Sequence, residues 1–191
     1  VLIPRPDTEL LIEKILKIYS NKSQLQILDI GTGSGCIILS LLKERKKDYG
    51  TGIDISKKSI NVSKINAKLL NLSNRTKFFH SSIDNFNIGK YDLIVSNPPY
   101  IELLNLKYLE KDVVNFEPKL ALNGGLDGFS KIKTVISKAS SLLKKKGKLI
   151  LEIGFNQKDK VKEMLKKKGF YVNHTFQDHG NNDRCIISTK I

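Results

Sequence analysis

Leu25-Gln-Ile-Leu-Asp-Ile-Gly-Thr-Gly-Ser-Gly35 passes in one short span from an apolar run to three glycines at alternate positions. The apolar part reads as a buried strand over 25–30, and Cys36-Ile-Ile-Leu39 opens a helical pattern that extends to 47. A strand that enters a helix through glycines brings a ligand against backbone N–H groups at the helix N-terminus. Outward from this unit the same alternation continues. Further strand-like runs lie at 52–55, 76–80, 91–96, 148–153, 170–176 and 185–190, with helical patterns at 57–70, 129–145 and 157–168. Such alternation predicts an α/β fold built on a seven-stranded, mostly parallel sheet covered on both faces. The link at 177–183 is too short for a crossover helix, so the last strand is predicted to run antiparallel. There is no internal repeat and no low-complexity tract.

The glycines fall at Gly31, Gly33 and Gly35 behind an acid, Asp29. A dinucleotide fingerprint requires G-x-G-x-x-G, whereas this spacing crowds backbone against a ligand without cradling a pyrophosphate. It favours S-adenosyl-L-methionine. The second strand ends at Asp54, where a carboxylate accepts both hydroxyls of a ribose in doubly wound geometry.

Asn97-Pro98-Pro99-Tyr100 follows directly on the strand-like run 91–96, the position at which an open parallel sheet places its chemistry. Two prolines fix their own φ angles, push Asn97 out of the helical region and leave carbonyls without competing N–H groups. The product is a stiff rim of acceptors. The side-chain oxygen of Asn97, the backbone oxygen of Pro98 and the flat ring of Tyr100 suit a planar group bearing an NH2, either an amide or an exocyclic base amine. A plain proline turn is the other reading of these four residues taken alone.

At 191 residues the chain is expected to be one domain. No apolar stretch approaches the ~20 residues needed to cross a bilayer, and no secretion signal is recognisable, so a soluble protein of the cytoplasm or an organelle matrix is expected, without a membrane partner. Cys36 and Cys185 have no metal-ligand spacing and read as buried free thiols. The net charge of +14 is compatible with a nucleic-acid partner. Many of the lysines, however, fall on amphipathic surface helices, where a solvated face accounts for them.

Taken together, Val1-Leu-Ile-Pro-Arg-Pro-Asp-Thr-Glu9, Asp29 to Gly35, Ile94-Val-Ser-Asn-Pro-Pro-Tyr-Ile101, Asp112-Val-Val-Asn-Phe-Glu-Pro118 and Asp178-His-Gly-Asn-Asn-Asp-Arg184 resemble the glutamine-N5 methyltransferases of peptide-chain release factors. The Asn-Pro-Pro-Tyr element alone is shared with enzymes that methylate adenine or guanine amino groups; the flanking elements select the glutamine branch. The resemblance implies a Rossmann-like class I S-adenosylmethionine-dependent methyltransferase acting on the glutamine of a Gly-Gly-Gln motif. It implies that Gly31, Thr32, Gly33, Ser34 and Gly35 surround the methionine end of the cofactor, that Asp54 holds its ribose, and that Asn97 contacts cofactor as well as substrate. Asn97, Pro98, Pro99 and Tyr100 then grip the substrate, with Asn97, Pro98 and Tyr100 catalytic. Ser82 and Ile83 stand where the family has an acid and an aromatic near the adenine, and Asn115 stands where it tends to have a basic residue. Glu117 is a candidate to position substrate backbone, with a loop ion pair as the alternative.

The long, irregular segment 102–125 reads as a substrate-contacting loop. By the same resemblance, 1–20 is a linker and first helix and the whole chain the catalytic domain, without the N-terminal helical substrate-binding domain that family members carry. Slow methylation of an intact release factor is the expectation that follows. Two other functions remain open: methylation of a flipped base in nucleic acid by the same tetrapeptide, and a non-catalytic cofactor-binding module. His80, His174 and His179 read as structural or surface residues.

Overall fold

The computed structural model describes residues 6–20, 24–103, 123–178 and 180–191. Among these residues, seven strands form one sheet: β1 (Gln26–Ile30), β2 (Tyr49–Asp54), β3 (Thr76–His80), β4 (Tyr91–Ser96), β5 (Leu143–Glu152), β6 (Phe170–Gln177) and β7 (Asp183–Lys190). The helices are α1 (Pro6–Ile18), α2 (Cys36–Glu44), α3 (Lys57–Leu69), α4 (Ser130–Leu142) and α5 (Lys158–Lys167). The strand order is β3-β2-β1-β4-β5-β7-β6, and β7 runs antiparallel to both of its neighbours. The mostly parallel, doubly covered sheet and its antiparallel last strand are as predicted.

Burial explains the two layers. Successive strand residues point to opposite faces, so Leu28, Ile94, Leu149 and Leu151 join a core with Ile132 and Leu165 of α4 and α5. Ile27, Leu93, Val95 and Ile150 join the opposite core, with Leu11 and Ile15 of α1 and Ile38, Leu41 and Leu42 of α2. Apolar residues on both faces make these central strands continuous hydrophobic runs, the signature of a sheet buried on both sides.

Four boundaries differ from the sequence expectation by three residues or more, each for a tertiary reason. α2 stops at Glu44 rather than 47, where Arg45 turns inward to donate to the carbonyl of Tyr19 and to pair with the buried Asp48. β2 begins at Tyr49 rather than 52. Gly50 weakens the strand pattern locally, yet a Cβ there would stand 2.6 Å from Ile38, so its absence lets α2 lie directly on the strand. α4 ends at Leu142, short of 145, and β5 starts at Leu143, which pairs with Tyr91. The register then breaks before Leu93 meets Lys148, and Lys146 takes φ 63° within the intervening bulge.

The site follows from this order. From β1 the chain winds through β2 to β3 in one direction, and β4 returns to the other side of β1. The crevice outside the carboxyl ends of β1 and β4 is therefore the topological switch point. The loops that leave Ile30 and Ser96 open into it.

Candidate active site

The glycine loop after β1 is held by backbone bonds. The N–H groups of Gly31 and Thr32 both donate to the carbonyl of Ile53, at 2.9 Å each, and that of Gly35 donates to Thr32 O at 2.8 Å. Gly31, Gly33 and Gly35 have φ values of 75°, 57° and 82°, a region that costs L side chains strain and glycine little. At Gly35 a Cβ would also meet Leu39 at 2.9 Å, whereas at Gly31 it would meet nothing within 4 Å. Gly35 serves helix packing; Gly31 leaves open space over the loop. Asn66 of α3 braces the loop from behind through a 3.0 Å bond to the carbonyl of Ser34.

Asp29, under the loop, is 1% exposed. Its Oδ2 accepts the Thr32 hydroxyl at 2.8 Å, while Oδ1 has no hydrogen-bond partner among the described residues. Burial pushes this carboxyl up from an ordinary 3.8 to about 7, opposed by the Thr32 hydroxyl and by the backbone N–H of Ile38. A buried carboxylate oxygen without a donor is suited to a cationic group presented above the loop.

Asp54 closes the far side. Its Oδ2 accepts the Gly33 N–H at 2.9 Å and its Oδ1 the Ser56 N–H at 2.8 Å. Each oxygen retains room for one further donor, and a ribose offers two hydroxyls. The carbonyl of Asp54 accepts Ser81 N–H at 3.0 Å, which brings the segment holding Ser82 and Ile83 beside it. Ser82 Oγ accepts from Asn85 N–H, and Ile83 packs on the core that α4 and α5 share with the sheet, as Phe79 does. Ile55, next to Asp54, is 65% exposed and presents an apolar face there. The open loop, the unpartnered Asp29 oxygen and the bifurcating Asp54 carboxylate fit the ammonium and ribose ends of an S-adenosylmethionine.

On the β4 side, Ser96 is buried and donates to the carbonyl of Ile30 at 2.8 Å, locking the ends of β4 and β1 together. Asn97 is half-buried and follows immediately. Its Nδ2 donates to Thr8 Oγ1 of α1 at 3.5 Å, an orientation that leaves Oδ1 for an incoming donor. Pro98 is buried, whereas Pro99 and Tyr100 are half-buried. The carbonyl of Tyr100 accepts Gln157 Nε2 at 3.1 Å, and the same amide reaches Gly128 O at 3.2 Å and, through Oε1, Gly154 N at 3.0 Å. Gly124 fits under this rim because a Cβ there would stand 2.9 Å from the Tyr100 backbone.

The residues expected from sequence to form the site are thus gathered around one crevice, except Glu117, which with Asn115 and most of the 102–125 segment lies outside the described residues, as does His179. His80 bonds Ile55 O at 2.9 Å and pairs with Asp54 between β2 and β3, and the His174 ring lies tilted near Phe176 on β6. Cys185 is buried, its thiol pushed up to about 12 by burial, but Cys36 is only half-buried, because it opens α2 at the loop. Sequence reading had not placed Asp29, Ile55, Thr8, Glu152 or Gln157 in the site. Asp29 was visible as the acid ahead of the glycines and Thr8 within a quoted motif; Glu152 and Gln157 carry no local signal.

Known proteins bear on this arrangement. Residues 21–187 match the family model of a methyltransferase domain. A release factor glutamine methyltransferase of Buchnera aphidicola subsp. Schizaphis graminum is 43% identical over 189 residues, covering 99% of this chain and 68% of that protein. Among solved structures, a ribosomal protein L11 methylase from Lactobacillus delbrueckii subsp. bulgaricus superposes with a TM-score of 0.70 at 22% identity, covering 98% of this chain and 81% of its own. A magnesium protoporphyrin IX methyltransferase from Synechocystis PCC 6803, solved with bound S-adenosylmethionine, superposes at 0.68 and 17% identity, covering 97% and 80%. These two share the fold. With a methyltransferase domain matched over most of its length and close identity to a relative of which it spans about two thirds, the chain belongs to the release factor glutamine methyltransferase family.

Proposed function

We propose that this enzyme transfers a methyl group from S-adenosylmethionine to the side-chain amide nitrogen of a release factor glutamine, the one in its Gly-Gly-Gln motif. The observation that carries the reading is the rim at Asn97: an amide turned nitrogen-inward toward Thr8, directly beside the glycine loop, on a backbone stiffened by two prolines. The domain reading that accompanies it is a single catalytic unit over 1–191, with 102–125 as the loop that meets substrate.

When bound, the cofactor supplies a methyl group on a positively charged sulfur. Asp54 receives the ribose hydroxyls, Asp29 faces the ammonium group through its free Oδ1, and residues 31–35 lie against the methionine end; the segment at Ser82 and Ile83 borders the adenine. The substrate nitrogen is a poor nucleophile because its lone pair is delocalised into the amide carbonyl. Positioning does most of the work. Asn97 Oδ1 and Pro98 O each accept one N–H of the glutamine amide, aiming its nitrogen at the methyl group, while the Tyr100 ring covers the amide plane. The nitrogen becomes acidic only after it has accepted the methyl, so its proton departs late and no strong base is needed.

A second reading, methylation of a base amino group in nucleic acid, is favoured by the +14 charge alone. Incubation with labelled cofactor and, separately, a release factor, RNA and DNA decides between them. Label recovered on the Gly-Gly-Gln peptide by mass spectrometry is the expected result; label on nucleic acid with none on the factor overturns the proposal.

A further inference from the structure

Behind Asn97 lies a polar chain that crosses three elements. Thr8 in the first turn of α1 is 6% exposed and Glu152 at the end of β5 is 2% exposed. At this depth a polar group is retained only at a cost unless it is paired. Thr8 Oγ1 donates to Glu152 Oε2 at 3.2 Å and lies 3.5 Å from Asn97 Nδ2. The three residues come together over sequence separations of 144 and 89.

The chemistry of a hydroxyl gives this chain a direction. A threonine has one proton to donate, and a carboxylate oxygen can only accept. With that proton committed to Glu152, Oγ1 can act toward Asn97 only as an acceptor, and the sole donor at the end of the Asn97 side chain is Nδ2. The amide is therefore set with its nitrogen inward and Oδ1 outward. The opposite flip would place Oδ1 against a Thr8 oxygen with no proton to offer, and would present an NH2 to a substrate amide that itself brings NH2.

We propose that Thr8 and Glu152 are positioning residues that fix the flip of the Asn97 amide, so that the site presents an acceptor and selects substrates bearing NH2. This rests on Asn97 as the acceptor for the substrate amide. The carboxylate acts on Asn97 through the Thr8 hydroxyl. A consequence is that polarity rather than volume matters at position 152. Glu152→Gln keeps the shape but can donate its own NH2 to Thr8, freeing the hydroxyl proton to turn toward Asn97 and hold it in the wrong flip.

The test measures kcat and KM on a release factor, cofactor affinity, and melting temperature for Thr8→Val, Thr8→Ser, Glu152→Gln and the Thr8→Val/Glu152→Gln double variant, with Asn97→Ala alongside. Thr8→Val should lower kcat by about 10- to 100-fold, the range seen when a supporting contact behind a functional group is removed, with cofactor affinity within about threefold. Thr8→Ser should recover most of the loss. Glu152→Gln should impair turnover as much as Thr8→Val, and the double variant should be no worse than Thr8→Val, because in the relay the carboxylate acts on Asn97 through the hydroxyl. Wild-type kcat in Thr8→Val, Thr8→Ser as impaired as Thr8→Val, or additive losses in the double variant would overturn the relay. Should Asn97→Ala turn over normally, the reading of the rim itself fails; an inactive Asn97→Ala beside an unimpaired Thr8→Val defeats the relay alone.

Discussion

Asp29→Asn should make the cofactor-free protein more stable at neutral pH while weakening its hold on cofactor. Burial pushes the Asp29 carboxyl up to about 7 in the folded state from an ordinary 3.8, because desolvation outweighs the hydrogen bonds from Thr32 and the Ile38 backbone. Between these two values the unfolded chain has lost the proton and the folded chain keeps it. The native state then binds more protons than the unfolded one, so stability falls as pH rises through the window and levels off above it. A shift of about three units corresponds to about 4 kcal/mol over the whole window. Asparagine does not titrate, so the stability difference between variant and wild type should widen by roughly 2–3 kcal/mol from about pH 5 to about pH 8. For a domain of this size that is a widening of roughly 5–10 °C in the melting-temperature difference. Thermal unfolding followed by circular dichroism at several pH values, without cofactor, reads it directly. Parallel pH profiles for the two proteins would refute the reasoning, since they would mean that Asp29 stays ionised in the fold and that its Oδ1 is not a buried orphan. The functional half is measured by calorimetry. Pairing with a cofactor ammonium favours the ionised carboxyl, so below about pH 7 binding to wild type should release a proton, and Asp29→Asn should abolish that release.

Asn97→Ala should lower kcat by about 10² or more, the loss typical of a preorganised polar contact, while cofactor affinity measured by equilibrium dialysis changes little. In Asp54→Asn, an NH2 replaces one of two oxygens that face the Gly33 and Ser56 N–H groups, so cofactor affinity should fall by roughly 10- to 100-fold, as expected for losing hydrogen bonds to a charged group. Gln157→Leu leaves the Tyr100 and Gly128 carbonyls and the Gly154 N–H without their partner. It should cost about 2 kcal/mol, lowering the melting temperature by ~4–8 °C, with a rise in KM for protein substrate as the Tyr100 rim loosens.

Much of the fold could be read locally because burial leaves a periodic trace. The runs at 76–80 and 91–96 have the same limits as β3 and β4, since both are bounded by polar or proline-bearing segments that end the apolar run. The misplaced boundaries have a common origin. At Gly50 a residue with poor strand propensity is tolerated because α2 needs the space, and at Leu143 a residue that continues the helical pattern of α4 is captured instead by Tyr91 of the neighbouring strand. In both places packing between distant segments overrode a local preference. The site divides in the same way: the glycines and the double proline announce themselves through backbone restriction, whereas Gln157 is an unremarkable residue at the start of a helix until three backbone groups converge on it.

By itself the sequence determined the α/β class, the turn at Gly31, Gly33 and Gly35, the acceptor rim at Asn97-Pro98-Pro99-Tyr100 and the family resemblance, because each resides in residues adjacent along the chain, whose conformations are restricted by sterics alone. Only the tertiary structure decided that the rim and the loop share one crevice, through the pairing of β1 with β4 and the bond from Ser96 to Ile30. It alone decided that Asp29 keeps an oxygen without a hydrogen-bond partner among the described residues, and that Thr8 and Glu152, 144 residues apart in the chain, meet beside Asn97. Desolvation and hydrogen-bond direction depend on what surrounds a group in space, and that neighbourhood exists only after the sheet has closed.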